Sequence, residues 1–198
     1  MASEMMSLCN IPQSSYVIEP WKNGLGSTDI VAETRIEGGP ATGWDGLVWR
    51  LARTEIISAS AFSDHTGYDR HQVVVEGEGL FLDAGSATID LSEPLKPVQY
   101  GGELKIVSRL ENGPVKVLNL MINRSEATGG MTAMGAGSSA DFRPGAHVFY
   151  AVKEDAHLCL AGTAHHVSAG DAIALEAAEP LVATVQTGTL IVASIYAK

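Results

Sequence analysis

Two histidines one residue apart on a strand share a face and can hold a metal together with a nearby carboxylate. The stretch Asp69-Arg70-His71-Gln72-Val73-Val74-Val75-Glu76 supplies only His71 and Glu76. Arg70 also sets a fixed cation beside the imidazole, which repels a divalent ion. His165 and His166 are adjacent, so on a strand they point to opposite faces and cannot chelate together. No metal or other cofactor is expected, and His71, His147, His157, His165 and His166 read as ordinary surface or turn residues. Nucleophilic signatures are missing too: there is no GxSxG elbow, and Cys9 and Cys159 form no CxxC pair and have no partnered histidine. Asp69 and Glu76 form a carboxylate pair on paper, but spacing alone does not set them across a bond.

Anion chemistry is better supplied. In Trp49-Arg50-Leu51-Ala52-Arg53-Thr54, strand alternation puts Arg50, Ala52 and Thr54 on one face and Trp49 and Leu51 on the other. Ala52 leaves room beside Arg50, whose planar fork suits a carboxylate. Asn23 offers donors and an acceptor to an amide, formyl or imidazole group. Trp21 and Phe62 offer flat walls for a planar ligand. Competing structural roles are available to the same residues. Arg70 next to Asp69 fits an internal ion pair anchoring a turn, and Trp21, Trp44 and Trp49 fit core anchors. Gly24 and Gly26 are not a phosphate loop, since no GK[ST] follows; they fit a bulge or tight bend.

The elements that must hold these groups are short strands. Twenty-one glycines and many β-branched runs give strand, turn, strand in Gln72–Glu76, Gly77-Glu78-Gly79 and Leu80–Leu82. Further strands read at 87–91, 103–107, 115–122, 147–152, 156–160, 172–175, 181–186 and 190–196. No helical periodicity is evident beyond a turn or two at Ser3–Asn10, so the class is all-β. Ser125 to Ala140 is small and nearly uncharged, the composition of a flexible linker, with a lid over a site as the alternative. Leu80–Ala87 echoes Leu158–Ala164, Gly85 and Gly162 lie 77 residues apart, and Gly113 and Gly188 lie 75 apart. Such order suggests a duplicated β-barrel unit. The expected organisation is a lobe at 12–124, a linker at 125–140 and a second lobe at 141–198.

Composition narrows the partners. The 198 residues carry 13 basic and 23 acidic side chains, a formal charge of −10, which disfavours nucleic acid and anionic membranes. No apolar run reaches the roughly 18 residues of a membrane span, and Met1–Pro12 lacks the character of an export signal. A reduced, cytoplasmic setting is expected. Exposed edge strands are compatible with a homodimer.

The turns Val75-Glu76-Gly77-Glu78-Gly79 and Val167-Ser168-Ala169-Gly170-Asp171-Ala172 resemble those bracketing cupin barrels, which implies a bicupin: two cupin-like β-barrel or jelly-roll lobes packed together. Trp21-Lys22-Asn23-Gly24-Leu25-Gly26-Ser27-Thr28 resembles the WKNGGG-x-T stretch of the HutD/Ves family. Trp49-Arg50, Phe62-Ser63 and Gly67-Tyr68-Asp69-Arg70 resemble its WR, PFS and PG-x-DR elements, in order. Gly113-Pro114 with Asn119-Leu120-Met121 is similar to its GP-x-x-D-x-N-x-M strand. Leu25, His65, Thr66 and Val117 depart from the pattern, Val117 standing where the family carries an acidic residue. The resemblance implies a bacterial bicupin associated with histidine utilisation that binds a small anionic metabolite, such as urocanate or formylglutamate, in a regulatory role. Lys22, Arg50 and Arg70 fall inside these motifs, so the expected ligand set is Trp21, Lys22, Asn23, Arg50, Phe62, Arg70 and Glu76. The alternative is a metal-independent hydrolase or isomerase of a histidine-derived metabolite, with Glu76 or His71 as acid/base.

Overall fold

The computed structural model describes residues 6–21 and 27–198. Its first strands are β1 (Met6–Ile11), β2 (Val17–Pro20), β3 (Ser27–Arg35), β4 (Leu47–Ile56), β5 (Tyr68–Glu76) and β6 (Leu80–Ala84). They are followed by β7 (Ala87–Leu91), β8 (Val98–Gly101), β9 (Val107–Leu110), β10 (Val115–Asn123), β11 (Ala127–Gly135) and β12 (Ser139–Phe142). The last six are β13 (Gly145–Ala151), β14 (Ala156–Leu160), β15 (Thr163–Val167), β16 (Ala172–Ala177), β17 (Leu181–Thr187) and β18 (Thr189–Ala197). One 3-10 turn, Gln13–Ser15, joins β1 to β2. Among the described residues no helix is long and apolar enough to cross a membrane.

The N-terminal lobe sets the six-stranded sheet β2-β3-β4-β10-β5-β8 against the three-stranded sheet β7-β6-β9. Leu80, Leu82, Leu91, Ile106 and Val115 fill part of the space between them. The C-terminal lobe repeats the plan, with β1-β16-β13-β18-β11 facing β12-β17-β14-β15 over Phe149, Leu158, Leu160, Val185 and Val192. The two larger sheets then pack on each other through Trp49, Leu51, Val73, Leu118 and Leu120 on one side and Val148, Tyr150, Ile191 and Ile195 on the other. This is the all-β bicupin arrangement.

Sandwiching explains why the central strands read as unbroken apolar runs, since both faces of such a strand are buried. In β5, Val73 and Val75 enter the interlobe core while Val74 enters the barrel. The internal echo maps onto equivalent elements. Gly85 turns β6 into β7 and Gly162 turns β14 into β15, with φ of 64° and 85°, backbone that glycine adopts without steric cost. Gly113 and Gly188 each lead into a central strand, β10 and β18.

Three expectations are corrected. The helical turn at Ser3–Asn10 is replaced over Met6–Ile11 by a strand paired with β16; residues 3–5 lie outside the described residues. The stretch 125–140 is not a linker, because β11 pairs with β18 at nine consecutive positions and β12 pairs with β17. At Gly129 smallness is a packing requirement: a Cβ there would collide with the Ser194 carbonyl oxygen and come within 2.9 Å of Ile122 Cδ1. Finally, His71 and His147 are buried in strands, at 5% and 0% exposure. The His147 ring bonds Ser194 Oγ and the Arg143 carbonyl, each at 3.0 Å.

Gly129→Ala is expected to lower unfolding free energy by about 2 kcal/mol, the scale of overpacking a closed interior. Gly135→Ala, with nothing within 4 Å of the added carbon, should leave stability unchanged in urea denaturation.

Candidate functional site

One wall of the N-terminal barrel is built from three adjacent strands, and their register decides which side chains meet. β10 lies between β4 and β5, with Met121 opposite Arg50 on one side and Arg70 on the other. One row further, Asn119 lies between Ala52 and Gln72. Strands are about 4.8 Å apart, so the two arginines rise from the same row, separated by a single intervening strand. The alternation that sends Trp49, Leu51, Leu118 and Leu120 to the interlobe core sends Arg50, Ala52, Thr54, Asn119, Arg70 and Gln72 into a cavity of about 650 Å³. Trp21, Trp44, Phe62 and His65 stand around it.

The two arginines differ in their partners. Arg50 Nη1 donates to Glu19 Oε2 at 2.8 Å and its Nε donates to Glu33 Oε2 at 2.7 Å. Burial pulls the Glu33 pKa upward, but the hydrogen bonds from Arg35 and Arg50 outweigh it and hold that carboxyl below its ordinary value. Arg50 therefore sits in an internally neutralised network, its guanidinium 5.3 Å from the Trp44 ring. Arg70 has no such network. It is 7% exposed, and among the described residues no carboxylate pairs with it and its buried Nε has no acceptor. What it does have is aromatic: its guanidinium carbon is 4.8 Å from the Phe62 ring and 5.3 Å from Tyr100. Burial lowers its pKa, yet an arginine stays charged under these conditions. Arg70 is thus a buried cation without a carboxylate partner among the described residues, on the wall of an open cavity.

Other polar groups line the same cavity. Tyr100 donates its hydroxyl to Gln72 Oε1 at 2.5 Å, which fixes the amide and leaves its NH₂ as the remaining functional end. Asn119 Oδ1 is buried without a partner. Trp21 Nε1 donates to Thr28 Oγ1 at 2.9 Å, and Thr28 lies 3.3 Å from Thr54 Oγ1. His65 stacks on Trp44 with ring centroids 4.0 Å apart. Burial, reinforced by the charge of Arg70, pushes its pKa down to about 4, so it is a neutral ring near pH 7.

Of the residues expected from sequence, Trp21, Arg50, Phe62 and Arg70 line this cavity. Lys22 and Asn23 lie outside the described residues. Glu76 does not reach the cavity: it is exposed on the far end of β5 and pairs with Lys116 at 2.9 Å. Asp69 is not the partner of Arg70; the strand turns it away, and it accepts from Arg124 Nε at 2.6 Å. Trp49 is a core anchor, whereas Trp44 is part of the cavity wall. Sequence reasoning missed Glu19, Glu33, Gln72 and Asn119. Gln72 was within reach, two residues from Arg70 on one strand and hence on the same face.

A family model described as HutD matches residues 13–192. The chain belongs to the HutD family. A curated relative from Pseudomonas putida, an uncharacterized 21.2 kDa protein of the hutC 3′ region, is 32% identical over 120 residues. That match spans 59% of this chain and 59% of the relative's length. Among solved structures, HutD from Pseudomonas fluorescens SBW25 superposes with a TM-score of 0.80 at 23% identity, covering 97% of this chain and 100% of that one. The protein of unknown function PA5104 from Pseudomonas aeruginosa PAO1 gives 0.85 at 20% identity, covering 96% and 98%. Both structures share the two-lobed fold.

Three positions where the chain departs from the HutD pattern now have places. His65 is the ring stacked on Trp44, and Thr66 closes a short turn on Asp64 through its N–H and hydroxyl, at 2.8 and 2.7 Å. Val117 lines the cavity between Thr54 and Val74. Leu25 lies outside the described residues. A cupin metal does not fit this HutD-family cavity. His65 is the one imidazole among its described lining residues, His71 faces the other side of β5, and no three metal-ligating side chains gather among the described residues.

The depressed His65 pKa has a pH consequence. The unfolded chain takes up this proton near pH 6.5 and the folded one only near 4, so stability is complete above the higher value and is lost as pH falls between the two. Denaturation at about pH 7 and about pH 5 should show a loss that His65→Gln reduces. The ring's NMR titration midpoint should lie near 4, and Arg70→Met should raise it.

Proposed function

We propose that the chain is a non-catalytic binding protein for a small carboxylate metabolite, held in the N-terminal barrel, with a regulatory role in histidine utilisation. The observation that carries this reading is the Arg70 guanidinium, buried against Phe62 and Tyr100 with its Nε–H unanswered. Leaving a buried charged donor unpaired is costly, and a ligand carboxylate removes that cost while gaining charge-assisted hydrogen bonds. Arg50, already neutralised by Glu19 and Glu33, frames the cavity mouth and does not compete for the acid. Val117, where the family pattern is acidic, leaves that part of the wall without a repelling charge.

Membership in the HutD family and the hutC-region location of the curated relative favour acids derived from histidine, urocanate and formylglutamate among them. The enzymatic alternative loses its named groups. Glu76 is exposed outside the cavity and His71 faces the opposite side of the sheet, where burial lowers its pKa. Regulation would then be read from occupancy, with the bound acid changing the surface around Trp21, Glu19 and Trp44 at the cavity mouth.

Calorimetry with urocanate and with formylglutamate tests the assignment. Arg70→Met is expected to weaken whichever acid binds by at least about 100-fold, as loss of a buried charged partner does. Arg50→Met should lower stability, by stranding Glu19 and Glu33, more than it lowers affinity. Unchanged affinity in Arg70→Met would overturn the proposal.

A further inference from the structure

The cavity holds two buried polar atoms without partners, and they are of opposite kinds. Arg70 Nε is a charged donor and Asn119 Oδ1 is an acceptor. Both belong to cavity-lining residues on neighbouring strands, β5 and β10, and Gln72 stands beside Asn119 in direct register. Gln72 is already committed: its Oε1 accepts from Tyr100, so the end left over is a second donor. The wall thus reads donor, donor and acceptor along one face.

A plain carboxylate answers only part of that pattern. It accepts from Arg70 and Gln72, but it has nothing to give Asn119 Oδ1, which would stay buried and unsatisfied. Such a residual group is what a polar site uses to reject an analogue lacking the matching donor. The geometry points to Asn119 as a specificity-determining residue that selects small acids carrying an N–H or O–H donor on the same scaffold as the carboxylate. The ligand is then amphoteric in its hydrogen bonding: its anionic end lies against Arg70 and Gln72, and its donor end lies against Asn119. Flat rings suit the walls, since Phe62, Trp44 and His65 present faces or edges to the same space. Acids with a bulky aliphatic end have no such match.

This inference rests on the reading of the cavity as an anion site, and the test separates the two. The probes are trans-urocanate and trans-3-(2-furyl)acrylate, which share a five-membered ring, an acrylate spacer and a carboxylate and differ in the ring N–H. They are compared by calorimetry at mildly alkaline pH, where the imidazole is neutral. The parent protein is expected to bind urocanate about tenfold more tightly than furylacrylate. Asn119→Leu should bring the two affinities to within about twofold, by weakening urocanate and leaving furylacrylate nearly unchanged. Arg70→Met should weaken both. Equal, Arg70-dependent binding of the two acids by the parent would sink the role of Asn119 while leaving the anion site standing. An equal loss of both acids in Asn119→Leu would also contradict it, since the side chain would then be serving the carboxylate. Binding of neither acid by the parent would overturn this inference, and a failure of formylglutamate as well would overturn the anion site with it.

Discussion

The cavity turns on the cost of a buried, unpaired guanidinium on its wall. Arg70 is held by aromatic faces and strand geometry, and no carboxylate among the described residues relieves its charge. Cation–aromatic contacts recover part of the lost hydration, but they leave the in-plane donors unused. A buried charge left in this way carries an energetic cost, and the proposed ligand carboxylate would remove it. Arg50 marks the contrast: it rises from the same row of the sheet, yet two glutamates satisfy it. Equal residue types in equal positions have been given different tasks by what surrounds them.

The sandwiched sheet makes this possible. Because the C-terminal lobe covers the outer face of β4, β10 and β5, those strands are pinned from behind by Trp49, Leu51, Val73, Leu118 and Leu120. A shift of one residue in any of them would exchange core and cavity side chains. The apolar interlobe contact therefore fixes the register that aligns Arg50, Met121 and Arg70, and below them Ala52, Asn119 and Gln72. Gly129 belongs to the same argument, since close approach of β11 to β18 keeps the covering sheet seated. On this view the second lobe contributes rigidity to a site it does not line.

Much of this was legible in the sequence, and the failures have physical reasons. Alternation alone placed Arg50, Ala52 and Thr54 on one face, and the ordered motifs pointed to a bicupin of the HutD family. Composition misled at 125–140, because a strand that must approach its neighbour closely is written in the same small residues as a linker. It misled again at His71 and His147, since polarity gives no sign of a strand buried on both faces. Pairing between distant segments was beyond reach. Nothing local shows that Asp69 serves Arg124 or that Glu19 and Glu33 neutralise Arg50. Glu76 failed for a related reason: the register shift near Lys116 carries the end of β5 out of the barrel.

The most direct measurement is a crystal structure of the protein soaked with a small unsaturated acid such as urocanate. One carboxylate oxygen is expected at hydrogen-bond distance, about 2.8 Å, from Arg70 Nε, with the Arg50–Glu19–Glu33 network intact. An acid found on Arg50 with Glu19 displaced, or a cavity that stays empty at saturating concentration, would contradict it.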